Sequence, residues 1–331
     1  MMKAVSRKWG LYVGLILLVA TVGCSNETKS ASTTDSQGST TTKEAEPVKT
    51  DSTTFKIDET KAAELQGQFK ETPAKVAVAS VAIAEILDVL DVKPVGVPTS
   101  TVALPESFKD IPKIGSALKP DIEQVTKLQP DVVIGPESIK DSLEKQFKPA
   151  SLKTAYVPSD SLEELKTSTI VLSRVFKQEQ KANDFIAELE KQESDAVSQA
   201  KGKTAPKVMI LFGSAESFMM MNENTFAGSI AKKLGASNVV TDVLKSEETY
   251  LPLNMENVVT ANPDVILLVS HGDPDAAIKQ FEADVKKNGA WDKLNAFKNK
   301  RVQALDYNLF GVASVVKASD AYKEMLGLLY P

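Results

Sequence analysis

The chain reads as an α/β protein of two doubly wound lobes joined by a long connecting helix, and three observations lead to that fold class. Short apolar runs closed by turn residues alternate with stretches of helical periodicity through both halves. The segment 120–134, PDIEQVTKLQPDVVI, returns at 253–267 as LNMENVVTANPDVIL, with a Glu seven residues ahead of a Pro-Asp pair in each copy. Between the copies, residues 161–201 hold neither proline nor glycine and carry apolar residues at helical spacing.

Lys3, Arg7 and Lys8 precede an apolar run over 9–23, and the single cysteine of the chain, Cys24, follows Gly23. A run shorter than the roughly 20 residues of a bilayer span, basic at its start and ending in a small residue before cysteine, reads as a secretory signal closed by a lipid-attachment site. Thr21 stands where leucine is commonest in such sites. With Cys24 acylated, neither disulfides nor Cys-ligated metals are open to the mature chain. Residues 24–54 are rich in Ser and Thr and nearly devoid of apolar side chains, which makes them a solvated tether of about 30 Å root-mean-square reach. The expected divisions are a signal over 1–23, the tether over 24–54, a first lobe over 55–160, the connector over 161–201 and a second lobe over 202–331. The product sits on the extracytoplasmic face of the cell membrane, held by its lipid, as a monomer.

In the first lobe VAVAS (76–80) is a strand, followed by a helix over 81–90 whose Ile83, Ile86, Leu87 and Leu90 share one face. Residues 95–98 and 111–115 read as further short strands, 121–128 as a helix and 132–135 as a strand. The connector is one long helix, about 60 Å if unbroken, or two that nearly abut. The second lobe repeats the plan, with strands at 207–212, 239–240 and 265–269 and a helix over 225–234. A strand at 302–305, a loop over 306–311 holding Tyr307 and Phe310, and a helix over 314–329 close the chain.

Forty-four acidic against 39 basic residues give a net charge of −5, and loss of the basic leader makes it more negative, so nucleic acid is excluded as a partner. The chain contains no G-x-S-x-G, H-E-x-x-H or G-x-G-x-x-G. Gly202-Lys203-Thr204 mimics the end of a phosphate loop, but Val197 stands where the first glycine must be. These absences argue against an enzyme; an extracytoplasmic hydrolase using a histidine base is the distant alternative, with no nucleophile to point at. The only histidine, His271, directly follows the apolar run 265–269 and so falls at the carboxyl end of a strand, the edge where open α/β sheets gather ligands.

Several stretches carry a resemblance to a known family: VGVPTS (95–100), LPESFKDIPKIG (104–115), KPDIEQVTKLQPD (119–131), SIKD (138–141) and VSHGDP (269–274). With the lipid cysteine, the tether and the two lobes, they resemble the substrate-binding lipoproteins of iron-compound ABC importers, most narrowly the haem-binding members. The likeness runs from about residue 75 to the carboxyl terminus. It implies a clamshell that captures haem between its lobes and passes it to an ABC permease driven by its ATPase, with haem-donor proteins as further partners. It also implies haem iron held by a histidine of the second lobe, here His271, and a methionine of the first. At the methionine position this sequence has Leu118, which has no lone pair for iron, so the paired ligation does not carry over intact.

Met219, Met220 and Met221 are candidates for a sixth iron ligand, or adaptable apolar lining, and Tyr307 is an oxygen donor. Ser80 and Val81, at the start of the first helix, and Thr99 and Ser100, after the second strand, offer N–H and hydroxyl donors to propionates; ordinary capping and turn formation explain them equally. Leu118, Tyr307 and Phe310 would pack against the porphyrin. Glu123 and Glu256, at matching places in the repeat, would seat on the permease, or be solvated helix faces. A ferric siderophore is the alternative cargo, but cages for such anionic complexes favour arginine, and beyond the leader only Arg174 and Arg301 exist.

Overall fold

The computed structural model describes residues 55–214, 217–270, 278, 279, 281, 283, 289 and 291–331. The signal, Cys24, the tether and His271 therefore lie outside the described residues.

The first half forms a parallel sheet in the order β1 (Val76–Val78), β2 (Val132–Pro136), β3 (Thr154–Val157). Its strands are buried almost throughout, which is why they read as unbroken apolar runs. Residues 95–98 and 111–115, expected as strands, extend the sheet only through single bridges, Ala77 to Gly96 and Val97 to Lys113. Pro94, Pro98 and Pro112 remove the donors a continuous ladder needs. Around the sheet lie α1 (Glu59–Gly67), α2 (Val81–Val89), α3 (Ile122–Leu128) and α4 (Lys140–Phe147).

The second half repeats this plan. Parallel strands β4 (Lys207–Ser214), β8 (Val265–Ser270) and β9 (Val302–Ala304) lie side by side, and β5 (Ser217–Met221) and β7 (Tyr250–Pro252) add an antiparallel flank beyond β4. The helices are α7 (Phe226–Lys233), α8 (Met255–Ala261), α9 (Asn295–Lys298), α10 (Tyr307–Phe310) and α11 (Ala318–Leu329). The strand expected at 239–240 ends earlier: β6 is Ser237–Asn238, and Asn238 Oδ1 accepts from the N–H groups of Val240 and Thr241 to start a π-helical turn over Val239–Val243. The expected loop at 306–311 contains α10, begun by Asp306 Oδ1 accepting from Asn308 N at 2.8 Å. The last helix starts at Ala318 and not at 314.

The sequence repeat is a repeat of joints. Asp121 caps α3 and Asn254 caps α8, and each helix ends in a left-handed residue, Gln129 at φ 50° and Asn262 at φ 42°. A proline then stops the helix, and the aspartate after it clamps the neighbouring strand. Asp131 Oδ2 accepts from Ala74 N at 2.9 Å and Lys75 N at 2.8 Å, and Asp264 Oδ2 accepts from Lys207 N at 2.9 Å.

Of the two forms the connector allows, the structure has the second. Helices α5 (Leu162–Phe176) and α6 (Glu179–Ala200) are separated by Lys177, at φ 57°, and Gln178, and pack on one another. Helix α5 starts with a Ser161/Glu164 capping box and ends beside α1, where Arg174 pairs with Glu59 at 2.7 Å. Helix α6 then returns past both lobes, about 33 Å long at the α-helical rise, against α5, α2 and α11. One apolar core runs through both halves, holding Ile83 and Leu87 of α2, Leu165 of α5, Leu189 of α6, Ile230 of α7 and Met325 of α11.

At the margin of that core, around one fully buried lysine, sits an ion group. Lys166 of α5 is 0% exposed, its Nζ 3.0 Å from Glu193 of α6, 3.6 Å from Glu163 and 3.8 Å from Glu190. Lys233 of α7 shares Glu193 at 2.7 Å and Glu163 at 3.3 Å, and the Phe55 ring covers Lys166 at 4.5 Å. Burial alone would raise the Glu193 carboxyl, but the Lys233 hydrogen bond and the Lys166 charge outweigh it and hold the group below the ordinary value of 4.5.

Removing the shared acceptor leaves two cations without their closest partner, so Glu193→Ala is expected to cost about 3 kcal/mol, a melting temperature lower by roughly 6–12 °C. Folded Glu193 titrates below its unfolded value, so its contribution is complete above pH 4.5 and is lost as pH falls through the folded value. Melting curves of wild type and variant should converge in acid and stay apart near neutrality; equal curves at pH 7 would remove the ion group from the account.

Candidate functional site

The carboxyl ends of the strands are the edge at which open α/β sheets gather ligands, and contacts between the two halves tie them together nearby. Ser229 Oγ of α7 accepts from Leu162 N at 3.2 Å, which seats the start of α5 against the second lobe. Glu85 of α2 accepts a hydrogen bond from Ser314 Oγ at 2.6 Å. On another side Tyr250 of β7, its ring 5.9 Å from that of Phe212, feels the charge of Asp160 just beyond β3; burial first and that charge second push its phenol above the usual range. Asp160 is itself raised, chiefly by burial, although Ser138 Oγ donates to it at 2.9 Å. Glu164, which accepts from Asp160 N at 2.7 Å, is raised for the same first reason.

The first lobe brings several of the expected residues to this edge. Ser80 and Val81 lie where β1 passes into α2, both buried, and the Ser80 side chain makes no capping bond to the helix. Thr99 and Ser100 are exposed; Thr99 N donates to Gly115 O at 2.8 Å and Ser100 Oγ accepts from Val102 N at 3.0 Å, as a turn requires. Leu118 is 69% exposed, a large apolar side chain held out to solvent. Its loop is tightly pinned. Gly115 sits at φ 85°, where an added Cβ would lie 2.6 Å from the backbone of Asp121 and Lys119; Ser116 Oγ accepts from Lys119 N, and Gln146 donates to Leu118 O at 3.3 Å.

In the second lobe β8 ends at Ser270, directly before His271, and β9 leads through Leu305 to Tyr307 at the start of α10. Strand alternation puts Met220 on the opposite face from Met219 and Met221, in a different core cluster from Met221. Met219 is partly exposed opposite Phe212 and Pro252, whereas Met220 at 0% and Met221 at 5% are buried in the core. Phe310 is also core, 4% exposed with its ring 6.0 Å from Phe226, because α10 turns it inward. Glu123 and Glu256 are both exposed, each the second residue of its helix. Both arginines serve elsewhere: Arg174 on Glu59, and Arg301 on the carbonyls of Leu328 and Leu329 at 2.8 Å. Sequence reasoning passed over Glu85, Asp160 and Tyr250. Only Glu85 left a signal, an acid within the apolar run VAIAEIL.

The sequence model of the family described as "Periplasmic binding protein" matches residues 76–309. The chain belongs to the periplasmic binding protein family. As a periplasmic binding protein it is a substrate-binding protein of a transport system and not an enzyme. It is 33% identical over 268 residues to the high-affinity heme uptake system protein IsdE of Staphylococcus aureus strain bovine RF122 / ET3-1, covering 80% of this chain and 88% of the relative. The crystal structure of S. aureus IsdE complexed with heme is similar at a TM-score of 0.71 and 32% identity, covering 78% of this chain and 99% of that one. An ABC transporter substrate-binding protein from Listeria monocytogenes EGD-e matches at a TM-score of 0.71 and 34% identity, covering 79% and 99%.

Proposed function

We propose that this periplasmic binding protein captures haem at the edge where its two sheets meet and delivers it to an ABC permease and its ATPase. The observation that carries the reading is the position of His271, the only histidine, immediately beyond the last residue of β8 in the centre of the parallel strands. A neutral imidazole is a good axial ligand for haem iron. The relationship to IsdE, a heme uptake protein, supports the same cargo. So does the charge inventory: with Arg174 and Arg301 committed to structural partners, the edge lacks the arginine cage that a ferric siderophore favours. Leu118, Tyr307 and Met219 would meet the porphyrin, while Val81 N–H and the hydroxyls of Ser80, Thr99 and Ser100 would face its propionates. Leu118 leaves His271 carrying more of the iron binding than a His/Met pair would need. The lipid on Cys24 and the tether would keep the protein at the membrane beside its permease.

Mixing the purified protein with haemin should give a Soret band that His271→Ala shifts or abolishes. A band indifferent to that substitution removes the ligand assignment, and no band with wild type turns the cargo toward siderophores.

Glu123 and Glu256, matched on α3 and α8, are proposed to seat on the permease. Replacing both by alanine is expected to leave haemin binding unchanged and to stop uptake in cells; undiminished uptake contradicts the docking role.

A further inference from the structure

Helix α2, VAIAEILDV, turns Glu85 into the protein, where it is 3% exposed. Its Oε2 accepts from Ser314 Oγ at 2.6 Å, and Ser314, itself 2% exposed, comes from the segment between α10 and α11 of the other lobe. The network continues. Ser314 Oγ accepts from Lys317 N at 3.2 Å, and Lys317 Nζ donates to Asn308 O at 3.0 Å, inside α10. The ring of Tyr307, the first residue of α10, packs on Gly311, where an added Cβ would lie 2.4 Å from it. One carboxyl on the first lobe thus reaches, through two residues, the short helix that follows β9 at the ligand edge.

We propose that Glu85 is a positioning residue that ties the lobes together at the ligand edge, and that its protonation sets how firmly residues 306–317 are held there. Burial pushes the Glu85 carboxyl up to about 7; the Ser314 hydrogen bond and the Lys317 charge pull it down, and Asp88, one turn along α2, pushes it up. Asp88 itself receives a hydrogen bond from Ser107. Of the helices packed against α2, α6 offers Lys181, which is engaged with Asp91 at 2.8 Å at the far end of α2. Burial outweighs the Ser314 bond and the Lys317 charge and puts the folded value above the unfolded 4.5, so the stability contributed by buried Glu85 is complete below pH 4.5 and is lost as pH rises through about 7. A buried neutral acid is comfortable in this site, and a buried carboxylate draws water toward it. The consequence for cargo, tighter holding below neutrality and easier release above it, rests on the proposed haem cleft; the tie itself does not.

The test uses the cargo-free protein, so it stands or falls apart from haem binding. Hydrogen-exchange protection of residues 307–317, corrected for intrinsic rates, should fall by up to roughly tenfold between pH 6 and 8 in wild type. It should be flat in Glu85→Gln, which keeps shape and hydrogen bonding without the charge. Ser314→Ala removes the bond that lowers the Glu85 value, so its transition should move to higher pH. Parallel slopes for wild type and Glu85→Gln, or an unmoved transition in Ser314→Ala, overturn the proposal.

Discussion

A lysine with no exposed surface is tolerable only where carboxylates surround it, and the arrangement of both lobes depends on how Lys166 is satisfied. Its nearest partner, Glu193, is shared with Lys233, so one carboxylate joins α5, α6 and α7 at the place where the two halves meet. Apolar packing continues past this group from α2 to α11 without a break. Two lobes that share a core and an ion group are joined more closely than bodies on a flexible strand, because parting them would uncover that apolar surface and break the Lys233–Glu193 pair.

Duplication explains why the ligand edge has matching walls. In each lobe a capped helix, a left-handed residue, a proline and an aspartate set one strand against its neighbour, through Asp131 in the first and Asp264 in the second. The aspartates fix the amino ends of the sheets. The carboxyl ends are left to carry what differs between the lobes: pinned Leu118 on one side, and β8 running to His271 on the other.

Much of this was legible in the sequence where a period or a joint wrote it down. The buried strands stand out as unbroken apolar runs, and the Pro-Asp repeat marks equivalent joints in the two lobes. The break at Lys177 was not legible, since a lysine in left-handed conformation leaves no mark where glycine or asparagine would. Strand alternation buried Met220, and the inward turn of α10 buried Phe310; both follow from register and packing, which local pattern does not encode. Glu85 and Lys166 were hidden for a further reason. Whether a charged residue in a helix faces water or a partner depends on side chains hundreds of positions away, as with Ser314, or on a neighbouring helix, as with Glu193.

A shared core and ion group that hold the lobes in one relation leave a measurable interlobe distance. Spin labels on exposed positions of the matched helices α3 and α8, at Lys127→Cys and Val259→Cys in a Cys24→Ser background, would report it as an interlobe distance. A single narrow distribution is expected, its centre moving by less than roughly 2 Å on addition of haemin and its width growing in Glu193→Ala. A shortening of several ångström on haemin binding, or a broad distribution in the unsubstituted core, would contradict it.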